Sequence, residues 1–98
     1  MLIFEWDGKK AQKNFEIHGL SFDEASTAFK DVWSLTIYDP LHSESEDRYV
    51  LIGNSFSGRL LVVIHTDRGE KIRIISVRKA SKKEKKQYEQ NAKRSRDA

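Results

Sequence analysis

The chain begins with an apolar pattern of strand type that changes to helical spacing. Residues 2–6, LIFEW, are a short run rich in β-branched and aromatic residues, which predicts a strand. Residues 9–17 then place apolar side chains at helical spacing, with Asp7 available as a cap and Gly19 as a terminating residue. We therefore expect a strand followed by a short amphipathic helix.

A second helical pattern follows directly. Ser21 and Glu24 have the spacing of a capping box, in which a hydroxyl and a carboxylate satisfy each other's backbone donors. Apolar residues continue at helical spacing, which predicts a helix over residues 22–30. The two helices are expected to form a hairpin that packs on a sheet.

The middle of the chain is typical of antiparallel strands. Segments with strand character, separated by a loop or turns, are residues 33–38, 48–55, 59–66 and 71–78. Leu60 to Ile64 form an unbroken apolar run, which predicts a central strand covered on both faces. The predicted fold class is α+β, with a small antiparallel sheet made of a three- to four-stranded meander plus the short N-terminal strand.

The last of these strands, KIRIISVR, does not fit a regular alternation. In a regular strand Arg73 would share a face with Val77, and Arg78 would lie on the opposite face, so that neither face is cleanly apolar. A bulge at residues 74–75 would insert one residue and turn Arg73, Ser76 and Arg78 to the same side. The alternative is an edge strand whose charges discourage pairing with another chain.

Residues from Ser81 onward are predicted to form a basic helix. Ser81 and Glu84 repeat the capping-box spacing, and Tyr88 is one of the few apolar residues that follow. We expect residues 1–92 to form a single domain with both N-terminal helices packed on the sheet, and residues 93–98 to form a flexible basic tail.

Charge is unevenly distributed over the 98 residues. Residues 78–98 contain nine Lys or Arg and three Asp or Glu, whereas residues 1–77 contain nine basic and twelve acidic residues. A basic end on an acidic body suits RNA, DNA or an acidic partner, although charged tails also serve solubility. Cysteine is absent, which excludes thiol catalysis. The first ten residues show no basic region followed by a long apolar run, and no 18 apolar residues stand together, so we expect an intracellular protein.

Signatures of the common enzyme classes and metal sites do not occur. Serine-hydrolase, P-loop and dinucleotide-binding motifs are missing. The residues His18, His42 and His65 lie far apart and lack the close spacing of zinc ligands. The acidic segment 42–47 lacks the full ligand pattern of a calcium loop. We expect no metal or cofactor.

What remains is a set of polar groups at the ends of predicted strands. They are Arg48, Arg59, His65, Arg73 and Arg78, followed by Lys79 and Tyr88. Arginine holds phosphate oxygens through two parallel hydrogen bonds, and histidine transfers protons near neutral pH. RNA supplies its own nucleophile, the 2′-hydroxyl, so a protein needs only to orient it, accept its proton and neutralise the phosphate. Individually, each residue also has an ordinary structural explanation.

Several segments, taken in order, resemble the BrnT family of type II toxins. They are FEWDGKKAQKNFEIHGLSFDEASTAF at residues 4–29, HSESEDRYVLIG at 42–53, GRLLVVIHTDRGEKIRIISVRKAS at 58–81 and KKEKKQYE at 82–89. The HG-SF-EA helix hairpin joined to RIIS-x-R-K-A is the specific part of this resemblance. It implies a compact RelE-like ribonuclease that acts in the bacterial cytoplasm without a metal.

The resemblance also implies partners. A BrnA-like antitoxin with a DNA-binding part would form a heterotetramer of two toxins and two antitoxins that represses its own operon. The toxin would reach operator DNA only through this antitoxin, and no membrane is implied. Its substrate would be RNA, expected to be messenger RNA that is either free or ribosome-associated, and cleavage would inhibit translation and growth.

Residue roles follow from the basic strand ends together with this resemblance. Arg73 and Arg78 are expected to stabilise the phosphate and its transition state, and His65 to transfer a proton. The expected RNA contacts are made by Arg48, Lys79, Tyr88, Lys82 and Lys83. Glu46 is a further candidate for a residue of this site. The alternative function is a non-catalytic nucleic-acid-binding or protein-interaction module.

Overall fold

The computed structural model describes residues 1–97 and has an α+β fold, as predicted. The strands are β1 (Ile3–Glu5), β2 (Leu35–Tyr38), β3 (Arg48–Asn54), β4 (Leu60–Arg68) and β5 (Lys71–Lys79). The helices are α1 (Gly8–His18), α2 (Phe22–Thr27) and α3 (Lys82–Asp97), and short 3-10 turns cover Ala28–Lys30 and Pro40–His42. None of the helices in the described residues combines the length and the apolar character needed to cross a membrane.

The strands form one sheet in the order β1-β5-β4-β3-β2. β2 to β5 are consecutive antiparallel neighbours, so the meander is present and the apolar strand β4 is central. β1 runs parallel to β5, with Ile3 opposite Lys71 and Glu5 opposite Arg73. The sheet is therefore mixed, and the expectation of a purely antiparallel sheet was wrong. Because no hairpin joins β1 to β5, no tight turn forces the antiparallel direction on this pair.

Local signals determine the ends of the two N-terminal helices. The Asp7 side chain caps α1, and Gly19 ends it in the left-handed conformation with φ of 67°. Ser21 caps α2, but Glu24 does not return the second bond of a capping box, because its carboxylate accepts hydrogen bonds from a turn and from the residue before β4. α2 is shorter than predicted, and a 3-10 turn covers Ala28–Lys30.

The side chains of the sheet point alternately to two faces, which we name the inner face and the outer face. The inner face packs against α1 and α2, and its core contains Leu51, Leu61, Val63, Ile74 and Val77 together with Leu20, Phe22, Ala25 and Ala28. The outer face carries a smaller cluster formed by Ile52, Val62 and Tyr88 of α3. α3 makes polar contacts with Asp31, Asn54 and the Trp33 carbonyl near its middle, and with Arg78 of β5 in its first turn, so it covers one end of the outer face.

β5 contains the predicted bulge. His65 of β4 pairs with Ile74, and the preceding Ile64 pairs with Ser76, so that Ile75 is an additional residue on β5. One extra residue reverses the alternation of all side chains that follow it. The conflict between apolar and charged positions in KIRIISVR is resolved in this way.

The bulge brings the polar side chains of β5 to one face. Ile74 and Val77 both lie in the inner core, although side chains three positions apart point to opposite faces of a regular strand. Arg73, Ser76 and Arg78 therefore share the outer face, as predicted for a bulged strand. The edge-strand alternative was wrong for the first part of β5, because β1 pairs with it.

A buried side-chain amide extends the sheet beyond the short strand β1. Asn14 of α1 donates a 2.9 Å hydrogen bond to the carbonyl of Val77 and accepts a 3.1 Å bond from its amide. β1 ends at Glu5, so this amide satisfies backbone groups of β5 that β1 does not reach. The contact attaches α1 to β5 directly after the bulge.

α3 extends further than predicted. Residues 93–97 are helical, where we expected the flexible tail at 93–98, and Ala98 lies outside the described residues. Extending an existing helix requires no new nucleus, and Lys93 and Arg94 have good helix propensity.

Candidate nucleic-acid interface

Arg48, Arg73 and Arg78 all lie on the outer face. Arg48, Thr66 and Arg73 are direct neighbours across β3, β4 and β5, and Arg78 lies further along β5 opposite Val62. Adjacent strands are about 4.8 Å apart and each residue advances a strand by about 3.3 Å, so the backbones of the three arginines lie within roughly 17 Å of one another. They form a set that one short stretch of an extended polyanion can contact.

The surface between these arginines is largely uncharged. Val50, Ile64 and Ser76 form the next row across the same three strands, and all three are half-buried. Such a surface suits a ligand whose backbone is anionic and whose other parts are less polar. We name the arginines Arg48, Arg73 and Arg78, together with this row, the basic face.

Arg73 is held by a carboxylate from β1. Its Nη1 donates a 2.8 Å hydrogen bond to Oε2 of Glu5, and both side chains are 28% exposed. Lys71 Nζ lies 3.9 Å from the other carboxylate oxygen of Glu5. The parallel pairing of β1 with β5 creates this contact, because it places Glu5 directly opposite Arg73.

Arg78 is held by a carboxylate from α3. Its Nη1 and Nη2 each donate a 2.7 Å hydrogen bond to one oxygen of Glu84, and Nη1 also lies 3.4 Å from the carbonyl oxygen of Lys79. The hydrogen bonds from Arg78 lower the pKa of Glu84 to about 2, and the same bonds raise the pKa of Arg78. The pair is therefore ionised at neutral pH.

Both arginines keep the same pair of donors for a ligand. Within residues 1–97, the Nε of Arg73 and of Arg78 makes no hydrogen bond, and at least one hydrogen on each Nη2 is also unused. Nε–H and Nη2–H form one of the two-donor edges of a guanidinium, and this edge matches two oxygens of a phosphate. Each arginine can thus bind its carboxylate and a phosphate together.

Arg59 shows the opposite arrangement. Its Nε donates a 2.9 Å hydrogen bond to Oε2 of Glu24, and its Nη2 donates to Oε1 of the same carboxylate. The donor edge that is unused in Arg73 and Arg78 is thus occupied within the protein. Arg59 is a structural residue that joins the start of β4 to α2.

His65 lies on the inner face and is separated from the basic face by the sheet. Only 5% of the residue is exposed, and its ring packs between Phe29 and Tyr49 with centroid distances of 4.8 and 5.8 Å. Burial lowers the pKa of the imidazole. The predicted proton transfer by His65 would require its ring to act on the outer face, whereas the structure places the ring on the inner side of the sheet.

Tyr88 is also largely buried, with its hydroxyl bonded within the protein. The residue is only 8% exposed, and its hydroxyl donates a 2.6 Å hydrogen bond to Oδ2 of Asp31 and accepts one of 3.1 Å from Nδ2 of Asn54. Burial, together with the bond to Asp31, raises the pKa of Tyr88 to about 12. Its position indicates a structural role at the base of α3 rather than the predicted RNA contact.

The other predicted contacts lie around the basic face or outside it. Lys79 is exposed at the end of β5, where it pairs with Leu61 and lies on the inner side of the sheet. Lys82 and Lys83 are exposed in the first turn of α3. Glu46 pairs with Arg68 at 3.2 Å, in the loop before β3. Among residues 1–97, no group of three or more His, Asp or Glu side chains is placed to hold a metal ion.

Sequence reasoning missed the two carboxylates that hold the arginines. Glu5 lies in a short apolar strand, and its contact with Arg73 depends on a parallel pairing that no local pattern indicates. Glu84 was recognised as a capping residue, and the structure confirms both bonds of that capping box with Ser81. Its second role, as the partner of Arg78, could have been predicted, because the two residues lie only six positions apart along the chain.

One known family matches most of the chain. The family described as "Ribonuclease toxin, BrnT, of type II toxin-antitoxin system" matches residues 6–84. The chain belongs to the BrnT family. The resemblance found in the sequence is thereby confirmed, and the matched range includes all three arginines of the basic face and ends at Glu84. An antitoxin partner and an RNA substrate follow from membership of a family of ribonuclease toxins of this type.

A solved structure is similar to this BrnT-family chain. It is the 1.1 Å crystal structure of the ribonuclease toxin BrnT from Brucella abortus, with 25% sequence identity and a TM-score of 0.61. The similarity covers 84% of the present chain and 100% of the Brucella chain. No sequence among the curated proteins matches.

Proposed function

We propose that this BrnT-family protein is an endoribonuclease that cleaves RNA without a metal ion. The 2′-oxygen bonds to the adjacent phosphorus as the bond to the 5′-oxygen breaks, which yields a 2′,3′-cyclic phosphate and a 5′-hydroxyl. The 2′-hydroxyl loses one proton and the 5′-oxygen gains one, both by exchange with solvent. The nucleophile belongs to the RNA, so the protein needs to orient the phosphate and stabilise its growing negative charge.

The observation that supports this proposal is the pair of unused donor edges on Arg73 and Arg78. Two oriented guanidinium groups on one face stabilise a phosphate in which charge accumulates on the non-bridging oxygens. Arg48 is assigned to a flanking phosphate. Lys79, Lys82 and Lys83 provide further attraction for the RNA backbone. His65 and Tyr88 have no part in this proposal, because both are buried in structural contacts.

The biological setting that we propose follows the family. In the bacterial cytoplasm, this RelE-like toxin cleaves messenger RNA, either free or on the ribosome, and inhibits translation and growth. A BrnA-like antitoxin covers the basic face in a heterotetramer of two toxins and two antitoxins, which represses its own operon. The positive charge of the basic face suits an acidic segment of such a partner.

The test is cleavage of a single-stranded RNA by the purified protein in the presence of EDTA. We expect cleavage products with 2′,3′-cyclic phosphate ends. Arg73→Ala and Arg78→Ala should each reduce the rate by about 100-fold, because each removes a donor to the developing charge. Expression in cells should slow growth for the wild type and not for these variants.

Lys13→Ala is the matched control, because it removes an exposed charge from α1 on the opposite side of the sheet. It should retain full cleavage. If Arg73→Ala and Arg78→Ala both cleave like the wild type, the assignment of these arginines is wrong. RNA binding without cleavage by the wild type would instead support a non-catalytic binding module.

A further inference from the structure

Glu84 joins the basic face to the first turn of α3. One of its oxygens, Oε1, accepts a 2.8 Å hydrogen bond from the backbone of Ser81, which is half of the capping box. The same oxygen and its neighbour Oε2 each accept a 2.7 Å bond from Arg78. The Glu84 side chain is only 18% exposed, whereas that of Arg78 is 43% exposed.

We infer that Glu84 is a positioning residue for the ribonuclease reaction and acts through Arg78. This inference rests on the proposed function. Two parallel hydrogen bonds fix the plane of a guanidinium, which a single bond does not. Because Glu84 is itself held by the helix cap, Arg78 is oriented by the start of α3 and presents its remaining donor edge in one direction.

Loss of Glu84 should affect the catalytic rate and the RNA affinity differently. A carboxylate beside Arg78 opposes the attraction between this arginine and a phosphate, so removal of its charge should not weaken RNA binding. Without the two bonds, however, Arg78 samples several rotamers, and fewer bound complexes have the reactive geometry. Loss of Glu84 should therefore lower kcat without raising KM.

The capping box provides a matched pair of variants. Glu84→Gln keeps a side-chain acceptor for the Ser81 backbone, since glutamine also occupies this capping position, but it cannot accept both bonds from Arg78. Ser81→Ala removes the hydroxyl that accepts a 3.2 Å bond from the Glu84 backbone and leaves the carboxylate with Arg78. The first variant weakens the positioning contact, and the second weakens only the cap.

The experiment measures kcat and KM for a single-stranded RNA with wild type, Glu84→Gln, Ser81→Ala and Arg78→Ala. For Glu84→Gln we expect kcat to fall on the order of tenfold, with KM equal to or below that of the wild type. Ser81→Ala should retain kcat within about twofold, although it loses a comparable helix cap. Melting temperatures of both variants show that the comparison is made on folded protein.

The inference is overturned if Glu84→Gln has wild-type kcat while Arg78→Ala does not, or if Ser81→Ala loses as much kcat as Glu84→Gln. Absence of cleavage by the wild type would reject the proposed function instead. In that case the NMR signal of Arg78 Nε–H, followed during titration with a 2′-deoxy oligonucleotide, still tests the inference. A single sharp signal in the wild type that broadens in Glu84→Gln supports positioning, and identical signals in both proteins overturn it.

Discussion

The hydroxyl of Tyr88 donates a 2.6 Å hydrogen bond to Asp31, and this bond attaches α3 to the turn before β2. Asp31 also accepts hydrogen bonds from the backbone amides of Asn54 and Trp33. Burial alone raises the pKa of Asp31, but these hydrogen bonds together bring it below its usual value. A single carboxylate thus connects three parts of the chain.

Tyr88→Phe should destabilise the fold while preserving RNA cleavage. The variant keeps the ring over Ile52 and Val62 but removes a donor to Asp31 and an acceptor for Asn54. We expect the free energy of unfolding to fall by about 1–2 kcal/mol, as measured by urea denaturation.

Tyr38→Phe is the control for this prediction. The Tyr38 hydroxyl donates a 3.1 Å bond to Asp47 at an exposed site, so its loss should change the free energy of unfolding by less than about 0.5 kcal/mol. If Tyr88→Phe were as stable as Tyr38→Phe but lost cleavage, Tyr88 would have to be returned to the RNA-binding residues.

His65→Phe should make the protein less sensitive to mild acid. The pKa of His65 is lowered in the folded state by burial, so the unfolded chain takes up this proton more readily. Folded protein therefore loses stability as the pH falls below about 6.5, the pKa of an ordinary histidine. Urea denaturation at pH 7 and pH 5 should show a smaller difference for His65→Phe than for the wild type.

Cleavage by His65→Phe provides a second measurement on the same protein. Phenylalanine preserves an aromatic ring between Phe29 and Tyr49, and we expect kcat within a few-fold of the wild type. The exposed His18 serves as the control, and His18→Gln should retain the acid sensitivity of the wild type. A folded His65→Phe protein without activity would restore the proton-transfer role of His65.

Much of the fold could be predicted because its signals are local. Asp7, Gly19 and Ser21 determine helix ends through contacts with their own neighbours in sequence. The bulge in β5 followed from the conflict of charged and apolar positions within nine residues. The parallel contact of β1 with β5 could not be predicted in this way, because it joins Glu5 to Arg73 across most of the chain.

The position of His65 shows why the site was harder to predict than the fold. The apolar run from Leu60 to Ile64 indicates burial on both faces and so contains no alternation from which the face of the next residue could be read. In contrast, the bulge gave Arg73 and Arg78 a defined face from the sequence. The sequence also could not predict the burial of Tyr88, because a phenol that binds RNA and one that anchors a helix have the same sequence pattern.

Arg48→Ala should reduce the salt dependence of RNA binding. If Arg48 contacts one phosphate, its loss lowers the slope of log affinity against log salt concentration by about 0.7, the value for a single strand. Fluorescence anisotropy with a 2′-deoxy oligonucleotide at several salt concentrations measures this slope. Lys13→Ala removes the same charge from α1 and should leave the slope unchanged, and equal slopes for both variants would exclude Arg48 from the interface.

Glu24→Gln should show whether the Glu24–Arg59 contact is structural. Hydrogen bonds from Arg59, with further bonds from Ser55 and Ser57, hold the pKa of Glu24 at about 2, compared with 4.5 for an ordinary glutamate. The stabilisation from this contact is therefore fully present above about pH 4.5. It is lost as the pH falls through about 2, where the folded protein takes up the proton.

At pH 7, Glu24→Gln should lower the free energy of unfolding by about 2 kcal/mol, because the Glu24 side chain is only 9% exposed and its ionised carboxylate accepts hydrogen bonds from Arg59, Ser55 and Ser57. The difference from the wild type should shrink between pH 4.5 and 2, where the folded wild type also loses the contact. Glu16→Gln on the exposed surface of α1 should change stability by less than about 0.5 kcal/mol. RNA cleavage at pH 7 should be retained by the folded Glu24→Gln protein, since Arg59 contributes no donor to the basic face. A loss of cleavage without a loss of stability would show instead that Arg59 belongs to the site.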